Sequence, residues 1–244
     1  MPRNDKMGEW TERAELLFKA EGLGKLKNAN VLVVGLGGVG SFAAEFLARA
    51  GVGKMTIVDG DIVDITNINR QLPALHSTVG EPKVTIVGDR LMDINPELKL
   101  TRIKEFLSPE RAFEIVSEEY DYVLDCIDSV TPKLNLIIGA KRKRVKIISS
   151  MGAGGKMEAS KVHVSCITKA TNCMLAKTIR KRLKVEKIDK LKVVSSSEIQ
   201  DQSSLKMTDG SNFKKSFYGT NSYMPGLFGL YAAETVIRYL LKKV

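Results

Sequence analysis

Four side chains in this sequence have the type and spacing needed to manage phosphate charge. They are Arg70 in Thr66-Asn67-Ile-Asn-Arg70-Gln71, Lys83 in Gly80-Glu-Pro-Lys83, Asp128 in Asp125-Cys-Ile-Asp128-Ser129, and Arg13 upstream of them all. An arginine and an asparagine set close together can hold the oxygens of a triphosphate. A lysine in the first turn of a helix can reach a phosphate there. An acid that ends a strand at the carboxyl edge of a sheet suits a magnesium ion. Arg13 lies in an N-terminal helical stretch outside the nucleotide fold, from where an arginine can project into a neighbour's site. Any one of these charges alone reads as a solvated surface residue; their joint spacing is what points to a site.

The elements that must position them begin with Val31-Leu-Val-Val-Gly-Leu-Gly-Gly-Val-Gly-Ser41. A short apolar run ends in glycines and passes into a helix-compatible segment, Phe42 to Ala50. A second apolar run, Met55–Val58, then reaches Asp59 and Asp61. An acid about 20 residues past a glycine loop is the spacing of a nucleotide-binding βαβ unit. Gly35 permits the tight turn, Gly37 and Gly38 a close backbone approach to phosphate, and Gly40 close packing of helix on strand, with the helix N-terminus facing the anion. The glycines by themselves fit NAD, FAD or ATP.

Further along, short strands alternate with helices. Glu81-Pro82-Lys83 opens a helix to about Asp93, with proline in the first turn. Leu98–Ile103 is a strand, and Ser108-Pro109-Glu110 an N-cap followed by proline at the first helical position. Tyr122–Asp125 is a buried strand, Lys133–Lys143 a helix and Val145–Ser149 another strand. Such alternation means an α/β, Rossmann-like, doubly wound and mainly parallel sheet. An N-terminal helical arm, 1–30 (helix Thr11–Asn28, apolar at Leu16, Leu17, Leu23 and Leu26), leads into a nucleotide-binding core, 31–150. A substrate-facing part, 151–244, follows. It holds strand Lys161–Ile167, basic helix Asn172–Leu183, strand Leu191–Ser195, a polar loop expected to be mobile at about 198–216, and a last helix from about Leu227 to Leu241. The whole reads as a single domain.

The 244 residues are 43% apolar and 27% charged, with a net charge of +10. That basicity suits a polyanion, RNA foremost, although an uninvolved basic surface fits charge alone equally well. Three cysteines without any C-x-x-C pair exclude a disulfide framework and a four-thiolate zinc site. No signal-peptide pattern opens the chain, and Tyr223–Leu241 is interrupted by Glu234 and Arg238, so a cytoplasmic protein without a membrane span is expected.

Taken together, Arg13, Gly35-x-Gly37-Gly38-x-Gly40, Asp59-x-Asp61, Asn67-x-x-Arg70-Gln71, Pro82-Lys83 and Asp125-x-x-Asp128 resemble the adenylating enzymes that include MoeB, ThiF and the activating enzymes of ubiquitin-like proteins. The resemblance covers about residues 10–150. It implies ATP as nucleotide and adenylation of a carboxylate with release of pyrophosphate. It places Asp59 on the ribose hydroxyls, Arg70 and Lys83 on the phosphates, Asn67 along the phosphate chain, Asp128 at Mg²⁺, and Arg13 across a homodimer interface. The chemistry agrees: joining an anionic carboxylate to an anionic phosphate needs charge neutralisation and alignment.

Asp128-Ser129-Val-x-Pro132-Lys133, Ser150-Met-Gly-Ala-Gly-Gly155 and Gly219-Thr-Asn-Ser-Tyr-x-Pro-Gly-Leu-Phe-Gly229 narrow this resemblance to the tRNA-acting branch of the family, over nearly the whole chain. That branch implies ATP-dependent cyclisation of N6-threonylcarbamoyladenosine next to the anticodon. Some relatives are linked to a cysteine desulfurase/sulfur-acceptor system, which the resemblance carries as a partner. Adenylation of the C-terminus of a ubiquitin-like sulfur carrier, an NAD-dependent oxidoreductase and a non-catalytic nucleotide-binding scaffold stand as alternatives. Cys173, near a helix start, reads first as an inert buried thiol, and Cys126 and Cys166 as packing residues within strands. His76 and His163 are too far apart in the chain for a metal site. The basic helix carrying Lys177, Arg180, Lys181, Arg182 and Lys184, and the run Lys141-Arg-Lys-Arg144, are candidate tRNA contacts.

Overall fold

Apolar β-branched runs buried on both sides generate the centre of the molecule. The structure, a computed structural model, describes residues 10–207 and 216–242. Strands β1 (Asn30–Val34), β2 (Lys54–Val58), β3 (Lys99–Ile103), β4 (Tyr122–Asp125), β5 (Lys146–Ser150), β6 (Val162–Cys166) and β7 (Lys192–Ser196) form one seven-stranded sheet. The spatial order is β3-β2-β1-β4-β5-β7-β6, parallel except for β6. Successive side chains leave a strand on opposite faces. Val31 and Val33 therefore enter one core and Leu32 and Val34 the other, as expected of a sheet covered on both sides.

The first core lies under α2 (Gly40–Arg49), α3 (Lys83–Ile94) and α7 (Met224–Lys242); the second lies under α4 (Pro109–Glu114), α5 (Val130–Arg142) and α6 (Met174–Val185). Strands are added outward in one direction from β1 and in the other from β4, and at such a switch point the crevice beyond the strand ends takes ligands. The part after residue 150 adds β7 and β6 to the same sheet and sends α7 back over the first core.

Several expectations need correction. The N-terminal helix α1 (Glu12–Asn28) is broken at Lys19, whose φ of 62° is non-helical. Leu16 and Leu17, before the break, are exposed, whereas Phe18 and Leu23 pack against the first core and Leu26 is fully buried. Pro82 caps α3 from outside rather than occupying its first turn. Ser108 does cap α4, its Oγ accepting from Arg111 N at 3.1 Å. The segment after 198 is not loop throughout. Asp201 caps a short 3-10 turn, and β8 (Leu205–Met207) pairs antiparallel with β9 (Ser216–Tyr218). Residues 208–215 of the expected mobile loop lie outside the described residues.

Candidate active site

At the β1–β4 switch point the glycine loop is fixed by its own backbone. Gly35 has φ +89°, a region glycine enters freely, and a side chain there would meet the Cys126 carbonyl at 2.9 Å. A Cβ at Gly40 would stand 1.7 Å from the Gly35 carbonyl oxygen, so only glycine lets α2 begin this close to β1. Asp59, at the end of β2, closes the loop: one carboxylate oxygen accepts from Leu36 N at 2.6 Å and the other from Asp61 N at 2.8 Å. Burial pushes the Asp59 carboxyl above its ordinary range, against those two backbone donors and the nearby Lys83 charge. Each oxygen keeps a lone pair for a further donor.

The Asn67–Gln71 segment crosses the loop. Asp64 caps the 3-10 turn Ile65–Asn67, and Asn67 Oδ1 returns the bond to Asp64 N at 3.3 Å, a reciprocal cap that buries Asn67. Arg70 is half-buried, with one Nη donating to Thr66 O at 3.0 Å and Asn69 Oδ1 at 2.8 Å. Burial lowers its proton affinity, and the first opposing charge is that of Asp128. Arg70 and Asp128 thus share one electrostatic environment across the loop. The Gln71 amide lies against Gly37, and its Oε1 is buried without a hydrogen-bond partner among the described residues. A buried acceptor so placed is costly unless something donates to it. Lys83, in the first turn of α3 as expected, is buried, its ammonium 2.5 Å from half-exposed Asp61.

The acids of Asp125-x-x-Asp128 part company. Asp128 is exposed just before α5, where it can meet a ligand. Asp125 cannot hold a metal. It is wholly buried, 2.7 Å from the equally buried Lys133 ammonium, which also donates to Ser149 Oγ at 3.1 Å and the Ser150 carbonyl at 2.9 Å. Ile127 N donates to the other Asp125 oxygen at 3.1 Å. Burial raises the Asp125 pKa even so. This pair pins the corner from which Asp128 projects. In the sequence Lys133 reads only as part of a helix start, and nothing there signals a buried charge.

The role of Gly219–Met224 is equally invisible in the sequence. Thr220 O accepts from Asn69 Nδ2 at 2.8 Å, the Gly219 carbonyl from Gly155 N at 2.8 Å and the Lys156 carbonyl from Asn221 Nδ2 at 3.1 Å, while Asn221 Oδ1 caps α7 by accepting from Met224 N at 2.9 Å. Pro225 then packs on Gly38, where a Cβ would stand 2.8 Å from it. The carboxyl-terminal motif therefore braces the nucleotide crevice.

Arg13 is exposed, and α1 docks on the far end of α7, Gly22 facing Leu241, so Arg13 is not among the groups gathered at the glycine loop. Cys173 does cap α6, with Sγ accepting from Ala176 N at 3.5 Å, and is buried. Cys126 sits just past β4 rather than in it, and burial pushes its thiol up to about 12. No group of three or more His, Cys, Asp or Glu able to hold a metal ion occurs among the described residues. No helix among them is long and apolar enough to cross a membrane.

The chain that carries this glycine crevice falls into a known class. A model of the ThiF family matches residues 12–244, and the chain belongs to that family. It is 39% identical over 240 residues to the tRNA threonylcarbamoyladenosine dehydratase of Bacillus subtilis (strain 168), covering 95% of this chain and 94% of that protein. The crystal structure of Escherichia coli tRNA N6-threonylcarbamoyladenosine dehydratase, TcdA, in complex with ATP superposes with a TM-score of 0.87 at 31% identity, covering 99% of this chain and 97% of the other. The molybdopterin-synthase adenylyltransferase of E. coli (strain K12) is 39% identical over 141 residues, 58% of this chain and 55% of that one.

Proposed function

We propose that this chain is an ATP-dependent tRNA threonylcarbamoyladenosine dehydratase. The observation that carries the reading is the extent of the likeness. The dehydratase relative matches 95% of the chain, whereas the adenylyltransferase matches 58%. The latter favours the same first half-reaction without the same acceptor, and sulfur-carrier activation is the second reading on that ground.

The residues fit ATP. Asp59 holds a lone pair on each oxygen toward the ribose hydroxyls, and Gln71 Oε1 is an orphaned acceptor at the loop. Arg70 and Lys83 supply positive charge on the phosphate side, and Asn67 orders the segment between them. In the first step a threonyl carboxylate oxygen attacks the α-phosphorus and pyrophosphate leaves. In the second, a carbamoyl oxygen or nitrogen attacks the activated carbonyl and AMP leaves with the oxygen, a net loss of one water. The cations lower the repulsion between the two anions, and the glycine backbone aligns them. A Mg²⁺ ion at Asp128 would offset phosphate charge. One carboxylate is enough, because Mg²⁺ sites often draw their other ligands from substrate phosphates and water.

We further infer a cytoplasmic homodimer in which the chain works as one adenylation domain and Arg13 reaches the partner's site. Exposed Trp10, Leu16 and Leu17 beside it support a covered surface. A link to a cysteine desulfurase system would be regulatory or organisational, since the route needs no enzyme thiol.

The deciding experiment incubates the protein with ATP, Mg²⁺ and total tRNA, digests the RNA and weighs the nucleosides. Threonylcarbamoyladenosine lighter by one water is expected. AMP formation driven by a small ubiquitin-like protein, with no such nucleoside, would instead establish the second reading. Arg13→Ala and Asp128→Ala should each abolish AMP formation, and partial recovery on mixing the two would establish that the arginine acts in trans.

A further inference from the structure

Helices α5 and α6 lie side by side on the same face of the sheet. Their ends match: Arg142 at the end of α5 pairs with Glu186 at the end of α6, while Asp128 and Ser129 precede α5 and Cys173, packed against Gly152 after β5, caps α6. They are therefore parallel, and packed helix axes are about 8–10 Å apart. The head of α6 is one helix away from Asp128, at the same edge of the sheet.

A groove of about 440 Å³ opens at that head, lined by Asn172, Met174, Lys177, Arg180, Ile199 and Gln200 among others. That volume is within the range of small-ligand pockets. Much of its floor is tied to the protein by hydrogen bonds. Gln200 donates to Gly154 O at 3.1 Å and accepts from Met174 N at 3.4 Å; Asn172 Nδ2 donates to Ser197 O at 2.6 Å; one Arg180 Nη donates to Ile167 O at 3.1 Å and Ala170 O at 2.8 Å. At the rim the exposed groups are different in kind. Met174 and Ile199 are 56% and 76% exposed, and Lys177 is an exposed cation with no ion pair among the described residues. There is no acid in the first turn of α6. Lys181 and Lys184 continue from Lys177 along one helix face at four- and seven-residue spacing, leading away from the groove.

A site with largely committed amides, two exposed aliphatic faces and the exposed Lys177 ammonium at its rim suits a flat group joined to an anion. It can hold a base by its face and a phosphate by its charge, but offers little with which to read the base edge. We propose that this groove binds the nucleotide adjoining the modified adenosine, its base against Met174 and Ile199 and its phosphate on Lys177, whatever the base. The proposal rests on the tRNA reading above and deepens it.

The test uses the full chain, tRNA and anticodon stem-loops. Lys177 is exposed, so Lys177→Glu should leave the fold and ATP affinity unchanged. It should weaken tRNA binding about tenfold and lower the slope of log affinity against log salt by about 1. Removing the base of the adjoining nucleotide should weaken wild-type binding at least about fivefold, while exchanging that base for another should not; Met174→Ser should bind intact and abasic stem-loops nearly alike. Wild-type chain that dehydrates tRNA normally while Lys177→Glu keeps its affinity and salt slope would overturn the groove assignment. So would an abasic stem-loop bound as tightly as the intact one. Wild-type chain that forms no dehydrated nucleoside would overturn the tRNA reading and the groove with it.

Discussion

Replacing Lys133 by methionine tests whether the buried pair under the β4–α5 corner holds the site together. At 2.7 Å the Lys133–Asp125 attraction is worth about 6 kcal/mol with an effective dielectric of 20. Stripping water from two ions costs several kcal/mol each, so the intact pair contributes little net stability. Losing one member is another matter. Lys133→Met keeps the length of the chain but leaves a buried carboxylate opposed by no charge and the Ser150 carbonyl without its donor. Breaking a buried pair in this way costs about 3–5 kcal/mol. For a chain of this size about 1 kcal/mol moves Tm by about 2–4 °C, so the expected drop is about 6–20 °C.

The loss has a definite pH sign. Burial raises the Asp125 pKa, so its contribution favours folding when the carboxyl is protonated and is lost as pH rises through the folded value. The mutant should therefore be worst at high pH and recover toward acid. Asp125→Asn in the Lys133→Met background removes the unpaired charge and should restore more than half of the lost stability. Thermal unfolding at two pH values reads both effects. A Tm drop below about 3 °C for Lys133→Met, or no rescue in the double variant, would refute the view that charge burial governs this corner.

Four other outcomes follow from the crevice. Gly40→Ala should abolish ATP binding in calorimetry, because its Cβ would lie 1.7 Å from the Gly35 carbonyl oxygen and the loop must open to admit it. Gly229→Ala, distant in sequence, should weaken ATP binding less severely, since a Cβ 2.4 Å from Val39 O forces α7 away from the start of α2. ATP affinity should fall as pH drops through the raised Asp59 pKa, because the ribose hydroxyls need the ionised acceptor, and that acid limb should vanish in Asp59→Asn even if overall affinity is lower. Asp61→Asn should change the KM for ATP more than kcat, as it frees Lys83 from its 2.5 Å partner.

The glycine loop, the first five strands and the helix capped by Ser108 were legible because each has a local cause: φ freedom, two-sided apolar runs, alternation in the exposed edge strand β3, or a hydroxyl cap. Arg70, Lys83 and Asp128 could be grouped from spacing because all follow strands whose ends converge at one edge. What escaped was set by distant partners. Lys133 is a charged residue near the start of a helix, and only the Asp125 and Ser149 oxygens on the two strands that α5 connects explain its burial. Leu16 and Leu17 fit a helical face, but the helix breaks at Lys19 and both are exposed. The polar composition after 198 suggests loop, yet Leu205–Met207 and Ser216–Tyr218 pair into a ribbon, each strand too short to show alternation.

The site divides its charges by burial, and the division accounts for which of them can act. Asp125 and Lys133 are sealed and satisfy one another, so they fix geometry and are unavailable to a ligand. Arg70 is half-buried and can exchange its present interactions for a phosphate, Asp128 is exposed and can meet a ligand of opposite charge, and release of half-exposed Asp61 would let Lys83 turn toward a phosphate. Gly219–Met224 stands between these two sets. It is tied to Asn69 on the reactive side and to Gly155 and Lys156 beside the α6 groove, while Asn221 caps the helix that packs on Gly38. A shift in this segment would thus move the nucleotide loop and the groove together. A nucleotide pocket serving many acceptors needs no such tie; an enzyme that must hold ATP and a polynucleotide in register does.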